Sequence, residues 1–413
     1  MHTSLILSFC FLCFFLLSLT ESVHKIQGVI LTTGKDTRAF EKSIVSALKY
    51  LVDVENFYII APSAKQIEER LSPQLGPRVK FVDESIFPFD WKNISHIMIE
   101  TVRERGVYPL NDKSPFESTV WGRTGWFLQQ LLKFYAGKIL DLGDFVLLDS
   151  DIIWFKTTKF INETITINGN EAHRYYYASS SQYHPPYMAT LKRISGFDLY
   201  KSPDTHRSGI AHHMVISKLV LEDLMETSEK LHGGIPFWQV LLNESAIEMT
   251  CRAPRAGICG AGSTLSEYEL YFNYARQKFP ETVQLRPLMW ANGPAPGLQF
   301  WPPVESDEIQ SDGPKSHWIG HRQNEIPRVM VLQAEADRAQ GYDFVAYHGY
   351  GKRRYFELVG PDIEEMCNGV PPPRNTTCSW RGYEDNAALR KERPVEDWFG
   401  GCACYMANHQ SGP

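Results

Sequence analysis

Two acids one residue apart, Asp149 and Asp151, close the continuous apolar run Phe145 to Leu148. A run of that kind reads as a strand buried on both faces. In an open α/β sheet, ligands gather beyond the carboxyl ends of such strands. Two carboxylates placed there lose water and need positive charge beside them. A divalent cation carrying a diphosphate meets that need, because hard oxygen ligands suit magnesium or manganese and the metal neutralises a leaving phosphate. Asp-x-Asp alone is a common pattern, and the plain alternative is a strand-end turn with two solvated acids.

Other residues extend this chemistry. A second apolar run, Phe344 to Tyr347, ends at His348, with Lys352, Arg353 and Arg354 following. His348 is the expected further metal ligand and Lys352 an expected phosphate contact; the alternative is a surface histidine in a basic turn. Ser266 and Glu269 have capping-box spacing, which gives Glu269 a structural role and leaves Glu267 as the expected general base. A helix start also favours Glu for its charge alone. In Ser208-Gly-Ile-Ala-His212-His213 the adjacent histidines, on a strand, face opposite sides, so one at most meets a ligand. His213 is taken as that donor contact, against the alternative of a buried, hydrogen-bonded histidine. Arg123, near a helix start, is the other expected donor contact, while Gln129, Gln130 and Lys133 read as a solvated face. The glycine spacing after the first strand fits neither a phosphate loop nor a dinucleotide fingerprint, and zincin and nucleophile-elbow motifs are lacking.

The elements that must position these residues alternate in type. Gly28 to Thr33, Phe57 to Ala61 and Val79 to Val82 read as strands separated by helical spacing over Arg38 to Val52 and by a helix capped by Ser63 and Gln66. This βαβαβ rhythm implies a parallel sheet with crossover helices. A helix over Gly122 to Leu140 leads into the Phe145 strand. Further helices are expected over Lys218 to Leu231, stopped by Gly233-Gly234, and from about Ser266. The tyrosines at 175 to 177, 183 and 187 are either stacking surfaces for sugar rings or core residues.

The chain of 413 residues can bury a large core, and its formal charge of -6 argues against a nucleic-acid partner. The apolar stretch Ser4 to Leu19 is of signal-peptide length, so residues 1–22 are read as a cleaved signal or an uncleaved anchor. Membrane attachment is expected only in the second case. Either places the chain in the secretory lumen (Golgi or endoplasmic reticulum) or outside the cell. Six cysteines beyond that stretch suggest disulfides, and sequons stand at Asn93, Asn162, Asn243 and Asn375. The organisation expected is a leader, an α/β domain over 23–360 and a disulfide-tied appendage over 361–413. The sequence sets no oligomeric state.

Taken in order, the runs GWFLQQLLKFYA (125–136), FVLLDSDIIWF (145–155), SGIAHHMVIS (208–217) and LSEYELYFNYA (265–275) resemble a family of glycosyltransferase-like domains related to the GT-A fold. The resemblance spans roughly residues 25 to 355. It implies a Rossmann-like, mostly parallel sheet flanked by helices, with Asp151 as a direct metal ligand and Asp149 as a ribose or metal contact. His348 resembles the histidine that commonly completes the metal site in such enzymes. The implied activity is manganese- or magnesium-dependent transfer from a nucleoside-diphosphate sugar, UDP-sugar foremost, to a glycan or glycoprotein acceptor. The alternatives are a catalytically inactive, secreted glycan-binding relative, or a metal-dependent nucleotidyltransferase or phosphohydrolase.

Overall fold

The computed structural model describes residues 24–33, 36–106, 115–180, 184–197, 208–250, 263–286, 288–292 and 341–347, with short pieces at 334–335, 337–339, 354–357 and 376–378. The N-terminal apolar segment, His348, Lys352 and Tyr183 lie outside them, as do the cysteine side chains. Among the described residues no helix is long and apolar enough to cross a membrane.

The expected βαβαβ rhythm is present. β1 (Ile26–Leu31), α1 (Thr37–Tyr50), β2 (Val54–Ala61), α2 (Ala64–Leu75) and β3 (Val79–Asp83) follow one another, then α3 (Trp91–Glu104), α4 (Pro115–Ile139) and β4 (Phe145–Leu148). β8 (His213–Ile216) completes a five-stranded sheet of order β3-β2-β1-β4-β8. Every pairing in it is parallel except β4 with β8, where Leu148 stands opposite His213. β4 and β8 are buried along their whole length, as strands covered on both faces should be. Gly28 lets β1 and β2 approach, since a Cβ there would sit 2.6 Å from the Phe57 ring.

Two smaller sheets were not legible beforehand. β5 (Ile152–Trp154) leaves the central sheet immediately after β4 and pairs antiparallel with β11 (Phe344–Ala346). β11 in turn pairs with β10 (Trp290–Asn292), then β12 (Arg354–Glu357) and β13 (Thr376–Cys378). β13 falls in the stretch expected to be an appendage, yet it hydrogen-bonds to a strand from the preceding part of the chain. β6 (Ile161–Ile167), β7 (Asn170–Tyr177) and β9 (Val283–Leu285) make the third sheet.

The remaining helices are α5 (Pro185–Ser195), α6 (Lys218–Leu231), α7 (Phe237–Met249) and α8 (Glu267–Lys278). Two local readings change. The helix expected over Gly122 to Leu140 starts earlier, at Pro115, the first residue of α4, where a fixed φ and a missing N–H cost nothing. Ser63 has φ 54 and its side chain caps no helix; only its carbonyl accepts from Gln66 N. Tyr175 and Tyr177 are buried core residues, which settles their alternative on the side of packing.

Candidate metal centre at the end of the central strand

Asp149 to Asp151 occupy the step between two sheets, because β4 ends at Leu148 and β5 starts at Ile152. The chain is tied on both sides of the step. Asp149 N donates to His212 O at 3.0 Å, from the turn before β8, and Tyr347 N donates to Asp151 O at 2.9 Å, from the residue after β11. Strand ends from both sheets therefore converge on the triplet.

One stripe of α4 faces it. Trp126, Gln130 and Lys133 follow at four and three residues, so they share a helix face. Trp126 Nε1 donates to Leu265 O at 3.0 Å, Gln130 Oε1 accepts from Glu267 N at 2.9 Å, and Lys133 Nζ reaches Asp149 Oδ1 at 2.7 Å and Glu267 Oε1 at 2.5 Å. Gln130 and Lys133, expected on a solvated face, are 1 % and 3 % exposed. The spacing from Trp126 was the available signal, but helical periodicity marks one face without saying what lies against it.

Asp149 is fully engaged. Its Oδ1 also accepts from the Tyr268 hydroxyl at 2.7 Å, and its Oδ2 lies 2.9 Å from His212 Nδ1. Burial alone would raise its pKa, but Lys133 and His212 outweigh this and hold it well below the ordinary carboxylate range. Burial likewise works against the Lys133 ammonium, yet the two carboxylates beside it raise its pKa above the usual lysine value. Asp151 has no such partner: burial, then the charge of Asp149, push it up to about 7. Its Oδ1 is buried without a hydrogen-bond partner among the described residues.

The two histidines face different sides, but with the opposite assignment to the one expected, and His212 lies in the turn before β8 rather than on the strand. His213 turns into the core, its ring 5.1 Å from those of Trp154 and Phe344 and 5.8 Å from that of Phe160, and burial lowers its pKa to about 3. It does not reach the ligand side. His212 does, and its φ of 59 places a non-glycine residue in the left-handed region, a strain of order 1 kcal/mol or more. The hydrogen bond from Asp149 N to its carbonyl holds it there. Ligand atoms of Asp149, Asp151 and His212 all lie within 4.8 Å of one another. The pairing of Leu148 with His213 sets the direction of His213, and the left-handed turn at His212 sends that residue to the other side.

Glu267 is the first residue of α8 and 3 % exposed, with its carboxylate serving as counter-ion to Lys133. Ser266 Oγ accepts from Glu269 N, so half of the expected capping box forms. The Glu269 carboxylate goes elsewhere: it accepts from Ser208 Oγ, from Gly209 N at 2.8 Å and from Asn273 Nδ2 at 3.1 Å. That clamp brings the 208–209 turn against α8 so closely that a Cβ on Gly209 would lie 2.4 Å from Tyr268 O. Arg123 is half-buried, interacts electrostatically with the buried Tyr187 hydroxyl, and has no ion-pair partner among the described residues.

Residues 47–285 match a family model described as Family of unknown function (DUF6492). The chain belongs to that family. The DUF6492 segment contains Lys133, Asp149, Asp151, His212 and Glu267, whereas β11 and His348 lie beyond it. No curated protein matches the chain. Among solved structures it is similar to mouse xyloside xylosyltransferase 1 in its apo form, at 12 % identity and TM-score 0.31, covering 63 % of this chain and 85 % of that one. The apo bifunctional glycosyltransferase WbbM aligns at 11 % identity and TM-score 0.33, over 80 % of this chain and 46 % of WbbM. The PaToxG glycosyltransferase aligns at 13 % identity and TM-score 0.26, over 62 % of this chain and 71 % of that one.

Proposed function

We propose that this DUF6492 protein is a metal-dependent glycosyltransferase that moves a sugar from a nucleoside-diphosphate donor, with a UDP-sugar as the leading candidate, to a glycan or glycoprotein. The observation that carries the reading is the charge of the buried cluster. Three carboxylates, Asp149, Asp151 and Glu267, face one ammonium, Lys133, and one of the Asp151 oxygens has no donor. The acids outnumber the one lysine; against its burial, the Asp149 carboxylate raises the pKa of His212, and burial beside Asp149 raises that of Asp151. A divalent cation would relieve this excess of negative charge. The ordered sequence blocks that resemble GT-A enzymes support the same reading.

Asp151 is the carboxylate in want of a cation. His212, whose Nδ1 is engaged by Asp149, offers its Nε2, the arrangement in which a carboxylate orients a ligating imidazole. Asp149 thus both contributes charge and orients His212. His348 follows Tyr347, whose N–H is bonded to Asp151 O, and is the proposed further ligand. Manganese or magnesium there supplies charge neutralisation for the departing diphosphate. Arg123 and Lys352 are the proposed phosphate contacts. Glu267 keeps Lys133 and Asp149 in register, and any role for it as a base requires that ion pair to open.

The test is a panel of nucleotide sugars incubated with the full chain and manganese, read as release of nucleoside diphosphate. Release that disappears in Asp151→Asn supports the proposal. Binding without turnover identifies a silent glycan-binding relative. Release of pyrophosphate or nucleoside monophosphate points to a nucleotidyltransferase or phosphohydrolase. If no nucleotide stabilises the protein with any divalent metal, the enzymatic reading fails.

A further inference from the structure

Three of the four sequons fall on described residues, and the fold treats them differently. Asn243, half-buried like Asn162, sits on α7 with its Oδ1 accepting from Thr101 Oγ1 of α3 at 2.7 Å, and these two helices pack together. A sugar on its Nδ2 would leave the Oδ1 acceptor in place but would have to fit where α3 packs against α7. Asn93 lies in the first turn of α3, exposed, where its backbone N–H is capped by Asp90 and its side chain faces outward.

Asn162 has the more specific setting. Among the described residues β6 is an edge strand, paired only with β7, and its register slips between Ile161 and Glu163. Asn162 is the extra residue of that bulge, followed by exposed Glu163 and Thr164. The unpaired side of such a strand is a template for another strand, and bulky or charged groups are the usual defence. The sequence of β6, Ile-Asn-Glu-Thr-Ile-Thr-Ile, offers a single charge for that purpose.

We infer that Asn93 and Asn162 carry N-linked glycans while Asn243 stays bare, and that the glycan on Asn162 covers the open edge of β6. The inference uses the secretory route expected from the apolar leader and is independent of the catalytic proposal. In the attachment step a lumenal oligosaccharyl transferase of the host joins the asparagine Nδ2 to C1 of a lipid-diphosphate oligosaccharide. The N–C1 bond forms, the C1–O bond to phosphate breaks, the amide proton passes to a base and the lipid diphosphate leaves.

The full chain, with its own N-terminus and an Asn375→Gln background that removes the fourth sequon, is expressed in eukaryotic secretory cells and digested with peptide N-glycosidase. The parent should lose two glycan steps on a gel. Asn93→Gln should lose one, Asn162→Gln one, and Asn243→Gln none relative to the parent. Thr164→Ala removes the Asn162 sequon without touching the bulged residue, so it must reproduce Asn162→Gln. A parent without glycan, or a step that disappears only in Asn243→Gln, overturns the inference.

Discussion

The Lys133 ammonium stands 2.7 Å from Asp149 Oδ1 and is shared with Glu267, so one buried cation ties the end of the central strand to the start of α8. Tyr268 adds its hydroxyl to the same Asp149 oxygen and lies under the ammonium, 4.4 Å from ring centroid to Nζ. The consequence is a fixed Asp149 carboxylate beside an Asp151 carboxylate that has no comparable partner.

Removing Lys133 leaves two buried carboxylates without their cation. Lys133→Met should cost about 3–5 kcal/mol of stability by denaturant unfolding. Adding Glu267→Gln should restore part of that loss, because the second change removes one of the stranded charges. A Lys133→Met chain within about 0.5 kcal/mol of the parent would contradict the ion-pair description, given the usual scale of surface changes.

Manganese should raise the melting temperature of the parent protein, and a chelator should reverse the rise. At a hundredfold excess over Kd the stabilisation is about 2.7 kcal/mol. Asp151→Asn should abolish it, and His212→Ala should weaken it. Full retention of the shift in Asp151→Asn removes Asp151 from the metal site.

Gly209 has no room for a side chain, with Tyr268 O and Phe272 Cβ within 2.6 Å of the position a Cβ would take. Gly209→Ala should therefore destabilise by roughly 1–3 kcal/mol, the usual range for forced overpacking. Because the clash falls on Tyr268, manganese affinity should drop as well. Thermal unfolding unchanged from the parent counts against the close approach of the turn to α8.

His213 should make the protein acid-sensitive. Its folded pKa is lowered to about 3, below the ordinary histidine value of 6.5, so between those limits the unfolded chain binds the extra proton. Stability from this group is complete above about pH 6.5 and falls as the pH drops, by about 1.4 kcal/mol per unit at most. His213→Met, of similar bulk and without a titrating group, should flatten the pH dependence of the unfolding midpoint between pH 6 and 4. An unchanged slope would mean that the ring is not held neutral in the core.

Much of this was legible in the sequence for local reasons. The strands from Gly28, Phe57 and Phe145 announce themselves because a strand buried on both faces must be continuously apolar, whereas the edge strand from Val79 shows only a short Phe81-Val82 pair between polar residues. Lys218 to Leu231 is bounded by a stop at Gly233-Gly234, where both residues take positive φ. Gln130 and Lys133 were misjudged for an equally local reason: polar side chains on a helix read as solvated until something polar is known to lie opposite. The choice between His212 and His213 failed because His212 lies in the turn before β8, and Glu269 gave its carboxylate to Ser208 and Gly209, 60 or so residues earlier in the chain.

By itself, then, the sequence determined the α/β alternation, the strand that ends in Asp149-Ser150-Asp151 and the kind of ligand two such acids call for. These follow from side-chain type and spacing along one segment. Only the tertiary structure decided that Lys133 enters the site and takes Glu267 as its counter-ion, that His212 and not His213 faces the acids, and that Asp149 is satisfied while Asp151 is not. Each of those outcomes depends on which segments meet across the chain, and burial and charge balance are properties of that meeting.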